Sequence, residues 1–308
     1  MHCGRFLTIA IALAVLPAGS ATAEVAALLG TVRAGAVILT RDRATADPTG
    51  KVLRTSDGAL LFDMADLELG TAAGLDITLL TAVSQANELE IRYFGIDSWN
   101  ASRTVGDPGG IHFDGFGVSA PAFGERIDYG SRLYNFEINL RPRVAEGMPL
   151  VVGFRTLQLH EQLELWRLDP LPETVGIGTR ANNFLYGLQI GAEPYILGAG
   201  GPLRLDGTLK AGIYGNHAHQ GSFSPTLGTT VEDTFDRVAF VGELGVTVVY
   251  RFSRACEARA GYQLLWLYGV ALAPDQSRST NLLGPSGGVD CSATSFYQGA
   301  AVSLGFMF

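Results

Sequence analysis

The chain has 308 residues, of which 47% are hydrophobic, 17% charged and 39 are glycine, with a net charge of −8 and a mean hydropathy of +0.21. Apolar residues are too plentiful and charges too sparse for disorder, and after residue 20 no run approaches the ~18 apolar residues of a membrane-spanning helix. Lysine occurs only at Lys51 and Lys210 and there is no basic tract, so no nucleic-acid partner is expected. A β-rich chain with dispersed apolar residues remains.

Residues 1–23 read as a secretory signal. Arg5 supplies the positive end, residues 6–16 an apolar core too short to span a membrane, Pro17, Gly19 and Ser20 a break, and Ala21, Thr22 and Ala23 a small-residue cleavage site before Glu24. The domain expected to follow, 24–308, holds 21 basic residues (22 less Arg5) and 30 acidic ones, net −9.

Taken in chain order, ten strands are expected near 32–41, 64–82, 88–99, 128–144, 149–167, 181–197, 203–217, 234–252, 256–271 and 294–308. The connections alternate between short (84–87, 145–149, 198–202, 253–255) and long, rich in Gly, Pro and Asp (42–58, 100–125, 169–179, 218–233, 273–293). Short turns at one rim and long loops at the other are the asymmetry of an up-and-down outer-membrane barrel, here of about ten strands.

Period-two patterning supports this. Tyr134, Phe136, Ile138 and Leu140 alternate with Asn135, Glu137, Asn139 and Arg141. Leu203, Leu205, Leu209 and Ile213 alternate with Arg204, Asp206, Thr208 and Lys210. Val238 to Phe252 alternate with Arg237, Glu243, Thr247 and Arg251. In 149–167 the apolar parity changes between Phe154 and Leu157, which a bulge at 155–156 would reconcile. A soluble sandwich alternates too. Two features favour a lipid-facing barrel: opposite charges lie close along the polar faces (Arg237 with Glu243, Glu257 with Arg259, Glu90 with Arg92), and aromatics gather near strand ends (Tyr250, Phe252, Phe306, Phe308, Trp266, Tyr268, Trp166). The expected lumen-facing set is Glu137, Arg141, Arg204, Asp206, Lys210, Arg237, Glu243, Arg251, Glu257 and Arg259. The last strand, with Val302, Leu304, Phe306 and terminal Phe308, resembles the C-terminal aromatic signal read by the outer-membrane insertion machinery.

Five blocks carry a wider resemblance: GYQLLWLYGVALAPDQ at 261–276, NNFLYGLQIGA at 182–192, KAGIYGN at 210–216, LEIRYFGI at 89–96 and FYQGA at 296–300. Together they resemble an outer-membrane β-barrel family known mainly from planctomycete bacteria. The resemblance implies the barrel fold and the outer-membrane location, with lipid as a partner, and no established chemistry.

Catalytic and metal constellations are weak. His217 and His219 share a strand face but lack a further ligand at fixed spacing, and His160 and Glu161 are adjacent, so they point to opposite faces. His112 with Asp114 is a candidate by residue type alone. No catalytic residue, metal or cofactor is assigned. Cys256 opens one strand and Cys291 precedes another at the opposite rim. A separation of ~35–40 Å exceeds the ~7 Å that a disulfide allows, so free thiols are expected. The reading favoured is a structural or small-pore barrel. A diffusion porin, a binding protein acting through loop 100–125, and an outer-membrane enzyme are the alternatives.

Overall fold

The computed structural model describes residues 30–45, 50–118, 122–142, 148–169, 174–198 and 201–308. The signal at 1–23 and the start of the domain near Glu24 lie outside them. Ten antiparallel strands form a closed barrel: β1 Gly30–Arg41, β2 Thr71–Ala82, β3 Asn87–Asp114, β4 Ala122–Pro142, β5 Leu150–Arg167, β6 Thr174–Ala192, β7 Leu203–Ser224, β8 Thr229–Arg251, β9 Cys256–Val270 and β10 Ala293–Met307. Each pairs with its sequence neighbours, and β1 pairs with β10 from Thr31↔Met307 to Arg41↔Tyr297, so no edge is left. Gly30 and Phe308 exchange backbone hydrogen bonds of 2.9 and 3.0 Å at that seam.

All ten expected strands are present, but several run further toward the loop side. β3 has 28 residues and takes in most of the expected loop 100–125, and β7 and β8 continue to Ser224 and from Thr229. Conversely, 64–66 forms a short 3-10 turn rather than the start of β2. A hairpin, Lys51–Arg54 with Leu60–Asp63, caps the upper end of β3 by pairing Lys51↔Asp114 and Arg54↔Ile111.

Four of the five resemblance blocks meet in space as two pairs. GYQLLW of β9 lies against FYQGA of β10 (Tyr262↔Ala300, Trp266↔Phe296), and KAGIYGN of β7 lies against the 185–191 stretch of β6. Inward glycines let strands approach closely: a Cβ on Gly35 would stand 1.9 Å from the Val302 carbonyl oxygen.

Strand polarity divides the barrel into two storeys. On β4 the outward residues run Leu140, Ile138, Phe136, Tyr134 and then Arg132, Asp128, Arg126, while the inward ones run Arg141, Asn139, Glu137, Asn135 and then Leu133, Tyr129, Ile127. β5 repeats the change: Val152 and Phe154 outward, then Gln158, His160, Gln162 and Glu164, with Leu157, Leu159, Leu163 and Leu165 buried within. Its pairing with β4 and β6 passes through 155–156 without a shift, so the expected bulge there is absent. The apolar parity changes because the surroundings of the strand change, not because the backbone slips. A parity change through the backbone occurs instead on β3, between Ile96 and Trp99, and brings Trp99 inward.

On the turn-side storey the outward face is a continuous apolar band, with Leu188 72% and Ile190 67% exposed. Aromatics flank it: Phe240, Trp266 and Tyr268 toward the loops, and Tyr250, Phe252, Phe306 and Phe308 toward the turns. Trp166 belongs to neither flank; it stands high on β5 under the Arg126 guanidinium, 5.0 Å from the ring centre.

Candidate functional site

The turn-side lumen is filled by a charged network. Period-two strands with an apolar outer face must turn their polar residues inward, and here those residues arrive from nearly every strand. Lys210 donates to Glu137 at 3.0 Å and lies 3.7 Å from Glu90. Arg155 reaches Glu243 at 2.8 Å, and Arg92 bridges Asp76 at 3.0 Å and Glu243 at 2.9 Å. Arg141 joins Glu90 and Glu193. Nearer the turns, Arg33 and Arg259 share Glu257 at 3.2 and 3.4 Å, and Arg204 and Arg259 share Asp206 at 2.8 and 3.3 Å. Amides fill the gaps: Gln189 donates to Glu137 and Asn139 to Glu90, at 2.7 and 2.8 Å. The space left against the small residues Gly245, Gly261, Ala301 and Ser303 is a cavity of about 110 Å³, room for several waters.

Of the expected lumen set, Glu137, Arg141, Arg204, Asp206, Lys210, Glu243, Glu257 and Arg259 are in this network, and Glu257 pairs with Arg259 as expected. Arg237 and Arg251 are not. Arg237 has the inward parity but sits too high on β8, with its guanidinium carbon 6.0 Å from the Tyr268 ring, and Glu243 is taken by Arg155 and Arg92. Arg251 sits too low and is exposed at the turn-side rim. Arg33, Asp76, Arg155 and Glu193 were missed, and Glu90 and Arg92, read only as a close pair, join the network through other partners, Lys210 and Arg141 for Glu90 and Asp76 and Glu243 for Arg92. The inward parity of Gly35 leads to Arg33 on the same strand and that of Thr78 leads to Asp76, and the supposed bulge hid Arg155.

The loop-side storey is closed by apolar packing. Trp99, Tyr297, Ile96, Leu133, Leu157, Leu159 and Leu185 fill its interior. The segment after β9, most of it in the expected long connection 273–293, turns inward. Ala271, Leu272, Ala273, Gln276 and Leu282 are buried. Asn183 clasps the backbone of Ala271 through both amide atoms at 2.7 Å, and Glu161 accepts from the Ala273 N–H at 2.8 Å. Gln276 ties the two limbs of the segment, donating to the Leu272 and Asp290 carbonyls at 2.9 Å. The second half of the 261–276 block is therefore plug rather than strand. One ion pair crosses this apolar region: Arg41 meets Glu161 at 2.6 Å and donates to the Tyr129 and Ser131 hydroxyls at 2.8 Å.

The chemistry-bearing candidates are dispersed. Glu161 points inward from β5 and is buried against the plug while His160 faces outward, with its Nδ1 2.8 Å from the Asn182 side-chain oxygen. His217 and Asp236 form an exposed pair at 2.7 Å on the outer face. Among the described residues no group of three or more His, Cys, Asp or Glu side chains is arranged to hold a metal. Cys256 opens β9 opposite Phe306 on the turn side, and Cys291 is buried just before β10 at the other rim; both are free thiols.

No family model and no curated protein matches the chain. Solved structures do. The outer membrane protease OmpT from Escherichia coli matches at a TM-score of 0.52 and 9% identity, covering 90% of this chain and 97% of that one. The outer membrane protein OprG from Pseudomonas aeruginosa matches at 0.29 and 12% identity, covering 91% and 96%. At these identities the likeness concerns the backbone alone: the chain has the fold of an outer-membrane β-barrel, with ten strands.

Proposed function

We propose that this chain is a structural outer-membrane barrel that conducts no solute and has no catalytic role, held in lipid by its apolar band and sealed toward the loop side. The observation that carries the reading is the inward-folded segment after β9, locked to Asn183 and Glu161 within a packed apolar storey. Lipid supplies no hydrogen bonds to backbone, so a strand with an apolar outer face needs closure into a barrel there. Eight-stranded barrels are filled by side chains, whereas aqueous channels belong to about 16–18 strands. Ten strands, a paired charge network and a plug favour the filled case over a diffusion porin. The partners of this reading are outer-membrane lipid and, through the β10 aromatics, the insertion machinery.

Planar-bilayer recording tests it. Refolded barrel, with insertion verified by heat-modifiable migration, is expected to give no steady current. A reproducible single-channel step that disappears on Arg92→Ala or Arg155→Ala substitution in the lumen would overturn the sealed reading.

A further inference from the structure

Above the apolar storey, at the loop-side mouth, a cavity of about 50 Å³ lies between the upper ends of β4, β5, β6 and β7. Its walls are Phe113, Leu165, Ile177 and Leu227. One strong acceptor stands in them: Glu125 is only 6% exposed, and its buried Oε2 has no hydrogen-bond partner. The Ser224 hydroxyl on the same wall is already donated to the Gly176 carbonyl at 2.7 Å. Arg167 also lines the cavity and faces Glu125 in register; its stem lies over Gly176 and it keeps a further partner besides. A buried acceptor left without a donor is costly and rare. A ligand that brings both a donor and an apolar body would remove that cost.

We propose that this mouth is a binding pocket for a small primary ammonium on a short apolar stem, with the Glu125 carboxylate as its counter-ion. The three N–H donors of an ammonium suit a lone carboxylate oxygen, and about 50 Å³ admits a head of a few heavy atoms with the stem against Leu165 and Leu227. Burial pushes the Glu125 carboxyl up to about 7; Arg167 opposes this rise and Asp169 adds to it. Among the described residues Arg167 is the other titratable group lining the cavity; Phe113, Val118, Gly176, Ile177, Ser224 and the 226–227 turn bring none.

The sign of the pH dependence follows. An alkylammonium stays charged to about pH 10, whereas Glu125 is mostly neutral at pH 6 and mostly ionised at pH 8. The affinity should therefore be about tenfold higher at pH 8 than at pH 6. The probe is n-butylammonium chloride, titrated into the refolded full barrel in detergent and followed by calorimetry and saturation-transfer NMR, with n-butanol and butyrate as controls. Expected is saturable binding that strengthens with pH and exceeds that of both controls. Glu125→Gln, with folding verified by heat-modifiable migration, should lose at least ten-fold in affinity (~1.4 kcal/mol) and flatten the profile. Leu227→Trp, which fills the cavity from an exposed turn, should abolish binding with Glu125 intact. The proposal is overturned by no saturable binding, by butanol or butyrate binding as tightly, or by either variant keeping wild-type affinity.

Discussion

Arg155 is 1% exposed and has three acceptors around it, Glu243, Glu137 and Asn135. A buried ion network is weak evidence of net stability, since desolvation offsets much of the attraction. Removing one member is a different matter, because the remaining charges stay buried without their partner. Arg155→Ala should lower barrel stability by roughly 3–5 kcal/mol, read as a shift in the urea midpoint for unfolding from lipid vesicles. Arg54 of the exposed cap hairpin, which bridges Asp57 and, on β3, Asp107, should leave the midpoint nearly unchanged when changed to Ala. Equal losses at the two positions would mean that lumen water screens the network as bulk solvent does.

At the scale of the strand, the polarity exchange on β4 and β5 is testable directly. In a Cys256→Ser, Cys291→Ser background, Gln158→Cys should react with a membrane-impermeant maleimide and Leu159→Cys should not. The reverse pattern would place a bulge at 155–156 after all. This exchange also explains what the sequence made legible. Strand number and facing were readable in the turn-side storey because an apolar outer face and a charged inner one give one uninterrupted parity, as from Val238 to Phe252. Above that level the chain packs like a water-soluble barrel, and segments such as 100–114, with three Gly, two Asp and a Pro, have the composition of loops although they pair as strands. Most of the network residues were readable from parity; Arg155 was hidden by the supposed bulge, and Glu193 lies past the end of β6. The partners of each were not readable, because which charges meet across the lumen depends on the stagger of strands far apart in sequence. Arg237 fails for that reason: its parity is right and its height is wrong. Glu125 was invisible because it fell in an expected loop, although the inward parity of Ile127 and Tyr129 leads straight to it.

For the whole molecule, each storey is filled by a different means, charge pairing toward the turns and apolar packing toward the loops, while one hydrogen-bonded wall runs through both. The seam in that wall brings Gly30 and Phe308 within hydrogen-bonding distance. The ring therefore has no privileged starting point, and circular permutation separates two properties that the natural order of strands keeps together. Joining Phe308 to Gly30 by a short linker and reopening the chain between Ser84 and Gln85 gives a C-terminal strand that ends at Leu80, Thr81 and Ala82, without an aromatic. Reopening it after Phe252 gives one that ends in Val248, Tyr250 and Phe252, the alternation that β10 carries at Val302, Leu304 and Phe306. Both permutants should refold in detergent to the same heat-modifiable barrel, since every strand keeps its neighbours. Only the one ending at Phe252 should accumulate in the outer membrane of cells. Equal accumulation would show that delivery reads the closed ring and not the residue on which the chain stops.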